Sequence, residues 1–344
     1  MKPFQPIVLL YSKMKDSTVY KLSIGLSLGV IVSGLHYLYC HYEESKFYKY
    51  LRQLRKKVRK NWKQNPNIER LDIVCENILQ LNDYSDIKFF VKVIASKKFA
   101  VPKLRRPADE DPFAKEVCGQ VYIESLSNTH ALLYNKFPLV PSHVLVVTKE
   151  MEPQMSLINK DDFYAALKVM KALNCFIFFN GGAAAGASQK HKHLQAIPYD
   201  SFPNQSIPLN AIIEATQGKK NYVKGVEYRT IDPFKFRHIL CKFEGNFVSA
   251  TNCWNIEKQA KMLEDVYMEC LRRLDNDKLQ LAYNFILTKH WLFVVLRKCE
   301  VALGMVKINA VGFTGSFAVR SDEEYEFIRK QDPFNVLQSV TFAV

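Results

Sequence analysis

The chain has 344 residues, 48% of them hydrophobic, with 17 Tyr, 23 Phe, 13 Gly and 14 Pro. That is ample for a large buried core and excludes a disordered or collagen-like chain. The net charge of +14 is uneven: residues 1–100 hold 18 Lys+Arg against 8 Asp+Glu, and the remainder hold 30 against 26. A cationic amino-terminal part therefore precedes a slightly basic body suited to anionic substrates. None of the eight cysteines forms a Cys-x-x-Cys pair, which points to reduced, buried thiols and away from a structural zinc site.

Residues 1–45 form a hydrophobic amino-terminal segment. Leu22–Cys40 contains no Asp, Glu, Lys or Arg, and its 19 residues would make about 28 Å of helix. Tyr37, Tyr39 and Tyr42 crowd one end, as at a membrane interface. Two readings stand: a membrane anchor with the rest of the chain facing the cytosol, or a buried or amphipathic helix that tolerates Ser23, Ser27, Ser33 and His36. Residues 46–89 follow as a basic helical linker rich in Lys and Arg, with no nucleic-acid recognition motif beside it. The helical pattern runs on to residue 98, broken near Asn65-Pro66-Asn67, and Val101–Phe113 is a Pro-rich connection.

Residues 90–344 make the main domain. Strands are predicted over Gln120–Ile123, His130–Tyr134, His143–Thr148 and Cys175–Phe179, with an amphipathic helix over Asp161–Leu173. Residues 199–232 form a polar excursion. A strand at His238–Phe243 and a helix at Ile256–Leu274 follow. Leu281–Leu287 and Trp291–Leu296 form a hairpin, and Ser316–Val319 a last strand. Strands and helices interleave without a βαβ rhythm, so the class is α+β with an antiparallel sheet and flanking helices. An apolar strand ending in a base occurs twice, at 143–149 and 291–298, which fits two related halves in one chain.

The chemistry concentrates at Gly186-Ala-Ser-Gln-Lys-His191-Lys-His193-Leu-Gln195, after the turn Asn180-Gly181-Gly182-Ala183-Ala184-Ala185. If residues 191–197 are a strand, its period of two puts His191, His193 and Gln195 on one face. An imidazole there can attack phosphorus, provided its other ring nitrogen is held by a hydrogen bond. Ser188, Gln189 and the loop N–H groups can stabilise phosphoryl charge. A His-x-His pair can equally be incidental or bind a metal; the glycine-rich approach and the absent third ligand favour the nucleophile.

The stretch resembles the histidine-triad superfamily, in the branch with Gln in third place: the diadenosine tetraphosphate phosphorylases, or ATP adenylyltransferases. The likeness extends to Asn135-Lys136-Phe137-Pro138-Leu139-Val140-Pro141-Ser142-His143, Val147-Thr148-Lys149-Glu150, Tyr283-Asn284, Leu287-Thr288-Lys289-x-Trp291, Asn309–Gly312 and Asp111-Pro112-Phe113. Lys190 departs from the family pattern. The resemblance implies a histidine-triad-like fold and conversion of diadenosine tetraphosphate plus phosphate to ATP plus ADP, reversibly. It implies that His193 is the nucleophile, that His191 orients it, and that Gln195 favours transfer to phosphate over water. Asn180, Gly186, Ala187, Ser188 and Gln189 match its nucleotide and phosphate contacts. So do Asn135 with Lys136, Thr288 with Lys289, and more loosely Lys98.

No tightly bound cofactor or protein metal site is expected; a divalent cation such as Mg can accompany the nucleotide. The expected partners are a dinucleoside polyphosphate, ATP, ADP and phosphate, with no nucleic acid. A chain that fuses two halves is expected to act as a monomer. Two alternatives share the motif: a sugar-nucleotide nucleotidyltransferase or phosphorylase, and a membrane-tethered nucleotide-binding protein with a retired site.

Overall fold

The computed structural model describes residues 26–70, 73–81, 84–94, 111–114, 118–215, 221–223, 226–231, 234–243, 256–275, 278 and 280–344. Lys98 and most of the Pro-rich connection lie outside the described residues.

Helix α1 spans Leu26–Gln64. It packs through Leu51, Leu54 and Val58, a stripe at helical spacing. The candidate membrane span begins outside the described residues, and from Leu26 onward it is the first part of α1, continuous with the basic run. Among the described residues no helix is long and apolar enough to cross a membrane. Ser27, Ser33 and His36 interrupt the apolar stretch, so the anchor reading finds no support there.

The helical linker over 46–89 is corrected. Helix α1 stops at Gln64, and Ile73–Leu81 (β1) pairs antiparallel with Tyr84–Ile94 (β2). Phe89, Val91 and Val93 are buried while Lys88 is exposed, a period of two that overrides the charge-based helical pattern. The expected domain start at residue 90 falls inside β2.

The main sheet assembles in chain order from β3 (Tyr122–Ser125), β4 (His130–Tyr134), β5 (Val144–Thr148), helix α2 (Lys160–Leu173), β6 (Cys175–Gly181) and β7 (His193–Pro198). After α3 (Asn210–Ala215), the pattern repeats as β8 (Asn221–Val223), β9 (Val226–Arg229), β10 (His238–Lys242), helix α4 (Ile256–Arg273), β11 (Ala282–Leu287) and β12 (Trp291–Arg297). The excursion over 199–232 thus holds α3, β8 and β9. The ten strands lie in the order β3-β4-β5-β7-β6-β11-β12-β10-β9-β8. Read from either edge, the topology is the same, with β6 and β11 antiparallel at the centre. The expected α+β class and the two related halves are both present.

Local chemistry sets the elements. Asn159 caps α2 in a capping box: its side chain accepts from Asp161 and Asp162 N–H, and Asp162 accepts from Asn159 N–H at 2.7 Å. Asn174 ends α2 in the left-handed conformation, φ 54°. Helices α2 and α4 cover one face of the sheet, where Phe163 meets Tyr267 and Phe285. The other face is covered by a small sheet in which β2 pairs with β1 and, in parallel, with β15 (Ser316–Val319), which follows the short hairpin of β13 (Val301–Ala302) and β14 (Val306–Lys307). Phe89, Phe176, Phe178, Phe293 and Phe317 fill that second core, with the carboxy-terminal helices Asp322–Gln331 and Pro333–Ser339 closing it. Cys118, Cys175, Cys241 and Cys270 are buried and none is in a disulfide.

A buried ionic network lies under the start of β7. Lys192 is fully buried, with Nζ 2.6 Å from Asp162, 3.1 Å from Glu152 and 2.7 Å from the Leu157 carbonyl. Asp162 also meets His130 Nε2 at 2.9 Å. Burial works to raise the Asp162 carboxyl, but the His130 hydrogen bond and the Lys192 ammonium hold it below the usual range. Lys192→Met would leave that buried carboxylate without its ammonium partner, held only by the His130 and Asn159 hydrogen bonds. We expect a loss of about 3–5 kcal/mol in urea denaturation; a loss under about 1 kcal/mol would show that the network does not hold the strand.

Candidate active site

The face on which the histidines lie follows from register. Gln195 sits opposite Phe178 across the β7–β6 pair, and Phe178 belongs to the second core. His193, two residues earlier, faces the same side. Strand β7 begins at His193 rather than at residue 191; His191 makes an isolated bridge to Pro153 just before it. Phe113 packs against both imidazoles, with ring centroids 5.7 Å from His191 and 5.1 Å from His193.

His193 is nearly buried and its tautomer is set. Its Nδ1–H donates to the His191 carbonyl at 2.9 Å, so the proton sits on that nitrogen. Nε2 then carries the lone pair. Burial lowers His193 to about 4, with the His191 charge adding to the effect and the His191 carbonyl opposing it. The ring is therefore neutral at physiological pH.

His191 acts on His193 through its carbonyl, while its own ring is engaged elsewhere. Nδ1 lies 2.7 Å from Asp111, and Nε2 lies 2.9 Å from the Thr148 hydroxyl and 2.8 Å from the Thr148 carbonyl. Asp111 and Thr148 thus fix the imidazole from both sides.

Gln195 is oriented by a chain of donors. The Phe137 N–H donates to Asn135 Oδ1 at 2.9 Å, which identifies the other Asn135 side-chain atom as the amide nitrogen. That nitrogen donates to His143 Nδ1 at 3.2 Å. His143 Nε2–H then donates to Gln195 Oε1 at 3.0 Å, leaving the Gln195 NH₂ as the group presented outward. Burial first, and the His193 charge last, lower His143 to about 4 despite the Gln195 hydrogen bond. It stays neutral, as the chain requires.

The loop before His191 is shaped by glycines. Gly182 and Gly186 have φ of 97° and 85°. A Cβ on Gly182 would lie 2.4 Å from Met155 Sδ, and one on Gly186 2.9 Å from Asn309 Cβ. The following Ala187, Ser188 and Gln189 line the approach to His191, with Ser188 exposed. Among the described residues, the N–H groups of Ser188 and Gln189 have no protein acceptor. Gln154 closes the loop: its N–H donates to the Lys190 carbonyl, its Oε1 accepts the His193 N–H, and its Nε2 donates to the Asn180 and His193 carbonyls.

Other expected contacts lie elsewhere. Asn180 is buried, and its Oδ1 accepts from Asn284 Nδ2 at 2.9 Å and Ala310 N–H at 3.0 Å. Asn284 is in turn held by the buried Arg297, which also donates to the carbonyls of Val340, Cys299 and Ile308. Asn180 thus sets the loop rather than presenting a free side chain. Asn135 serves His143, and Lys136 pairs with Glu69 at 3.3 Å on the surface. Thr288 is buried and bonded to Trp291, and Lys289 is bonded to Asn174, across the sheet from the last residues of β7. That turn is about 15–20 Å along the strands from His193. His143, Asp111, Thr148 and Gln154 belong to the site without having been singled out from sequence. Asp111, Thr148 and His143 lay in matched segments; Gln154 carried no signal.

Among the described residues the second half has no such site. The side chains of β12 on the same face are Trp291, Phe293 and Val295. His238 at the start of β10 is buried and internally satisfied, by the Phe236 carbonyl and the Ile231 N–H, each at 2.7 Å. Among the described residues, no cluster of three or more His, Cys, Asp or Glu could hold a metal ion.

Two family models match the chain in sequence order: the Ap4A phosphorylase N-terminal domain over residues 45–215 and the ATP adenylyltransferase C-terminal domain over residues 232–343. Diadenosine 5',5'''-P1,P4-tetraphosphate phosphorylase 2 of Saccharomyces cerevisiae is 29% identical over 258 residues, covering 67% of this chain and 75% of that protein. Protein APA1 of the same yeast is 26% identical over 252 residues, covering 65% and 73%. Among solved structures, yeast Ap4A phosphorylase Apa2 in complex with AMP aligns with a TM-score of 0.67 at 23% identity, over 85% of this chain and 96% of that one. The complex of Apa2 with Ap4A aligns with a TM-score of 0.65 at 22% identity, over 85% and 98%. With both halves of its ten-stranded sheet matched, the chain belongs to the Ap4A phosphorylase family, with its ATP adenylyltransferase C-terminal domain.

Proposed function

We propose that the chain is a nucleotidyltransferase that converts diadenosine tetraphosphate and phosphate to ATP and ADP through a nucleotidyl-His193 intermediate. The observation that carries this is the His193 Nδ1–H bond to the His191 carbonyl, which leaves Nε2 unprotonated in a buried ring. Nε2 attacks the α-phosphorus of one adenylyl group, and the bond to the bridging oxygen breaks. ATP departs with that electron pair, leaving AMP on the imidazole. An oxygen of inorganic phosphate then attacks the same phosphorus, ADP forms, and His193 returns neutral. Ser188 and Gln189 N–H groups and the outward Gln195 amide supply donors for the phosphoryl oxygens.

Gln195 explains the choice of acceptor. An amide cannot take a proton from water, and the neighbouring His143 is neutral with its Nε2–H held by Gln195. Phosphate carries its nucleophilic oxygen already ionised near neutral pH, so it needs no base. With both halves of the fold in one chain and a single histidine face, we read the protein as acting as a monomer.

Incubation with diadenosine tetraphosphate, with and without phosphate, should yield ATP plus ADP only when phosphate is present. His193→Ala should remove the covalent adduct and at least 10³-fold of the rate, with circular dichroism unchanged. Turnover of nucleoside-diphosphate sugars alone would redirect the substrate, and an undiminished His193→Ala rate would overturn the nucleophile. Gln195→His should raise the phosphate-independent share of product, read as AMP plus ATP; an unaltered product ratio would remove Gln195 from acceptor selection.

With His193 near 4, adduct formation in a single turnover should persist at pH 5.5, where an ordinary imidazole is largely protonated. An acid limb near 6.5 would contradict a buried neutral nucleophile. Stability has its own pH dependence. His143, His193 and His238 are each lowered to about 4 by burial, so between pH 6.5 and 4 the unfolded chain binds more protons. Stability is then complete above 6.5 and falls as pH drops toward 4, by on the order of 3 kcal/mol per histidine.

A further inference from the structure

A second concave site lies away from His193. A cavity of about 900 Å³ opens between α1, the β1–β2 hairpin, the Leu139–Ser142 loop and Asp200. Its cationic wall is one face of α1. Arg52, Lys56, Lys60 and Lys63 recur at intervals of four, four and three, within a single arc of the helix, and all line the cavity. Among the described residues none of the four has an ion-pair partner. Like charges at these spacings repel, so nothing within the described chain accounts for their convergence.

The remaining lining cations are restrained around the opening. Arg59 meets Asp200 at 2.5 Å, Lys92 meets Glu76 at 2.9 Å, and Arg55 Nε donates to the Ala172 carbonyl at 2.5 Å. Trp62, also in the wall, holds its indole N–H buried without an acceptor among the described residues. Seven cations against two carboxylates, Glu76 and Asp200, line the cleft, and an excess of one sign within walls of low dielectric concentrates the field there. The cavity also lies beyond the reaction centre. Asp200 follows His193 by seven residues, so the two are about 20 Å apart along β7 and the turn after it.

We propose that this cavity binds a compact anion carrying several phosphates, at a site distinct from the one at His193. Lysine and arginine side chains in a concave array suit phosphate oxygens, with Arg52 and Arg59 able to engage them bidentately. Asp200 limits the affinity, since its carboxylate holds Arg59 and repels the same ligand.

The test is calorimetric titration of the full 344-residue chain with inorganic tripolyphosphate. Lys56→Gln/Lys60→Gln should weaken binding at least tenfold while phosphorolysis of diadenosine tetraphosphate is retained. Lys258→Gln/Lys278→Gln, which removes two exposed charges outside the cavity, should leave the affinity within twofold. Asp200→Asn should tighten binding several-fold, a gain that misfolding cannot mimic. Equal losses in the two lysine pairs, or unchanged affinity in Lys56→Gln/Lys60→Gln, would overturn the site. Vesicles of phosphatidylcholine with and without phosphatidylserine separate the phosphate sources. Lysine-dependent binding to phosphatidylserine without binding of tripolyphosphate would replace the soluble anion with a lipid surface.

Discussion

A buried imidazole attacks phosphorus only if its proton is on the nitrogen that faces away from the substrate. In this chain that condition rests on one hydrogen bond, from His193 Nδ1 to the His191 carbonyl two residues back. The bond is local, yet it requires the backbone at residues 190–193 to be held still. Gln154 does so with four hydrogen bonds to Asn180, Lys190 and His193. From the other side of the strand, buried Lys192 ties the same segment to the amino-terminal end of α2. The His191 ring is in turn fixed between Asp111 and Thr148. The nucleophile is thus the innermost point of a network whose members come from five separate stretches of chain.

The two halves of the sheet divide the work. The first half carries the imidazoles and the oriented amide. The second presents aromatic and aliphatic side chains on the corresponding face. It contributes through Arg297, which holds Asn284, which holds Asn180 at the base of the glycine turn. That buried guanidinium, lowered to about 10 chiefly by burial, is satisfied by three carbonyls as well as Asn284. A loop beside the reaction centre is therefore shaped by a charge on the last strand of the other half.

Much of this was legible in the sequence, for physical reasons that differ by element. Strands β4, β6, β11 and β12 are apolar runs flanked by turn residues, so their limits were found within a residue or two. The His-x-His-x-Gln stretch declared itself because charged or polar residues at period two in a buried strand demand a partner. The β1–β2 hairpin was missed because its charges suggested a solvated helix, whereas burial of Phe89, Val91 and Val93 under β15 decides the matter. The protein partners of Asn180 were not legible, since Asn284 and Ala310 lie more than 100 residues away, whereas His143, the partner of Asn135, lies eight residues on in the same segment. Gln154 could not have been found at all, since its role depends only on tertiary placement.

Joining the two halves in one polypeptide has a further consequence. When two identical subunits build such a sheet, every substitution is made twice, and each strand must serve both as reaction site and as scaffold. Here Trp291 and His193 occupy related strands but answer to different demands. A change at Trp291, Phe293 or Val295 can be judged by packing, and one at His193 or Gln195 by chemistry. Covalent fusion thus converts a symmetry constraint into independent degrees of freedom, and the aromatic face of β12 becomes a part of the sheet where sequence can drift without touching the reacting atoms.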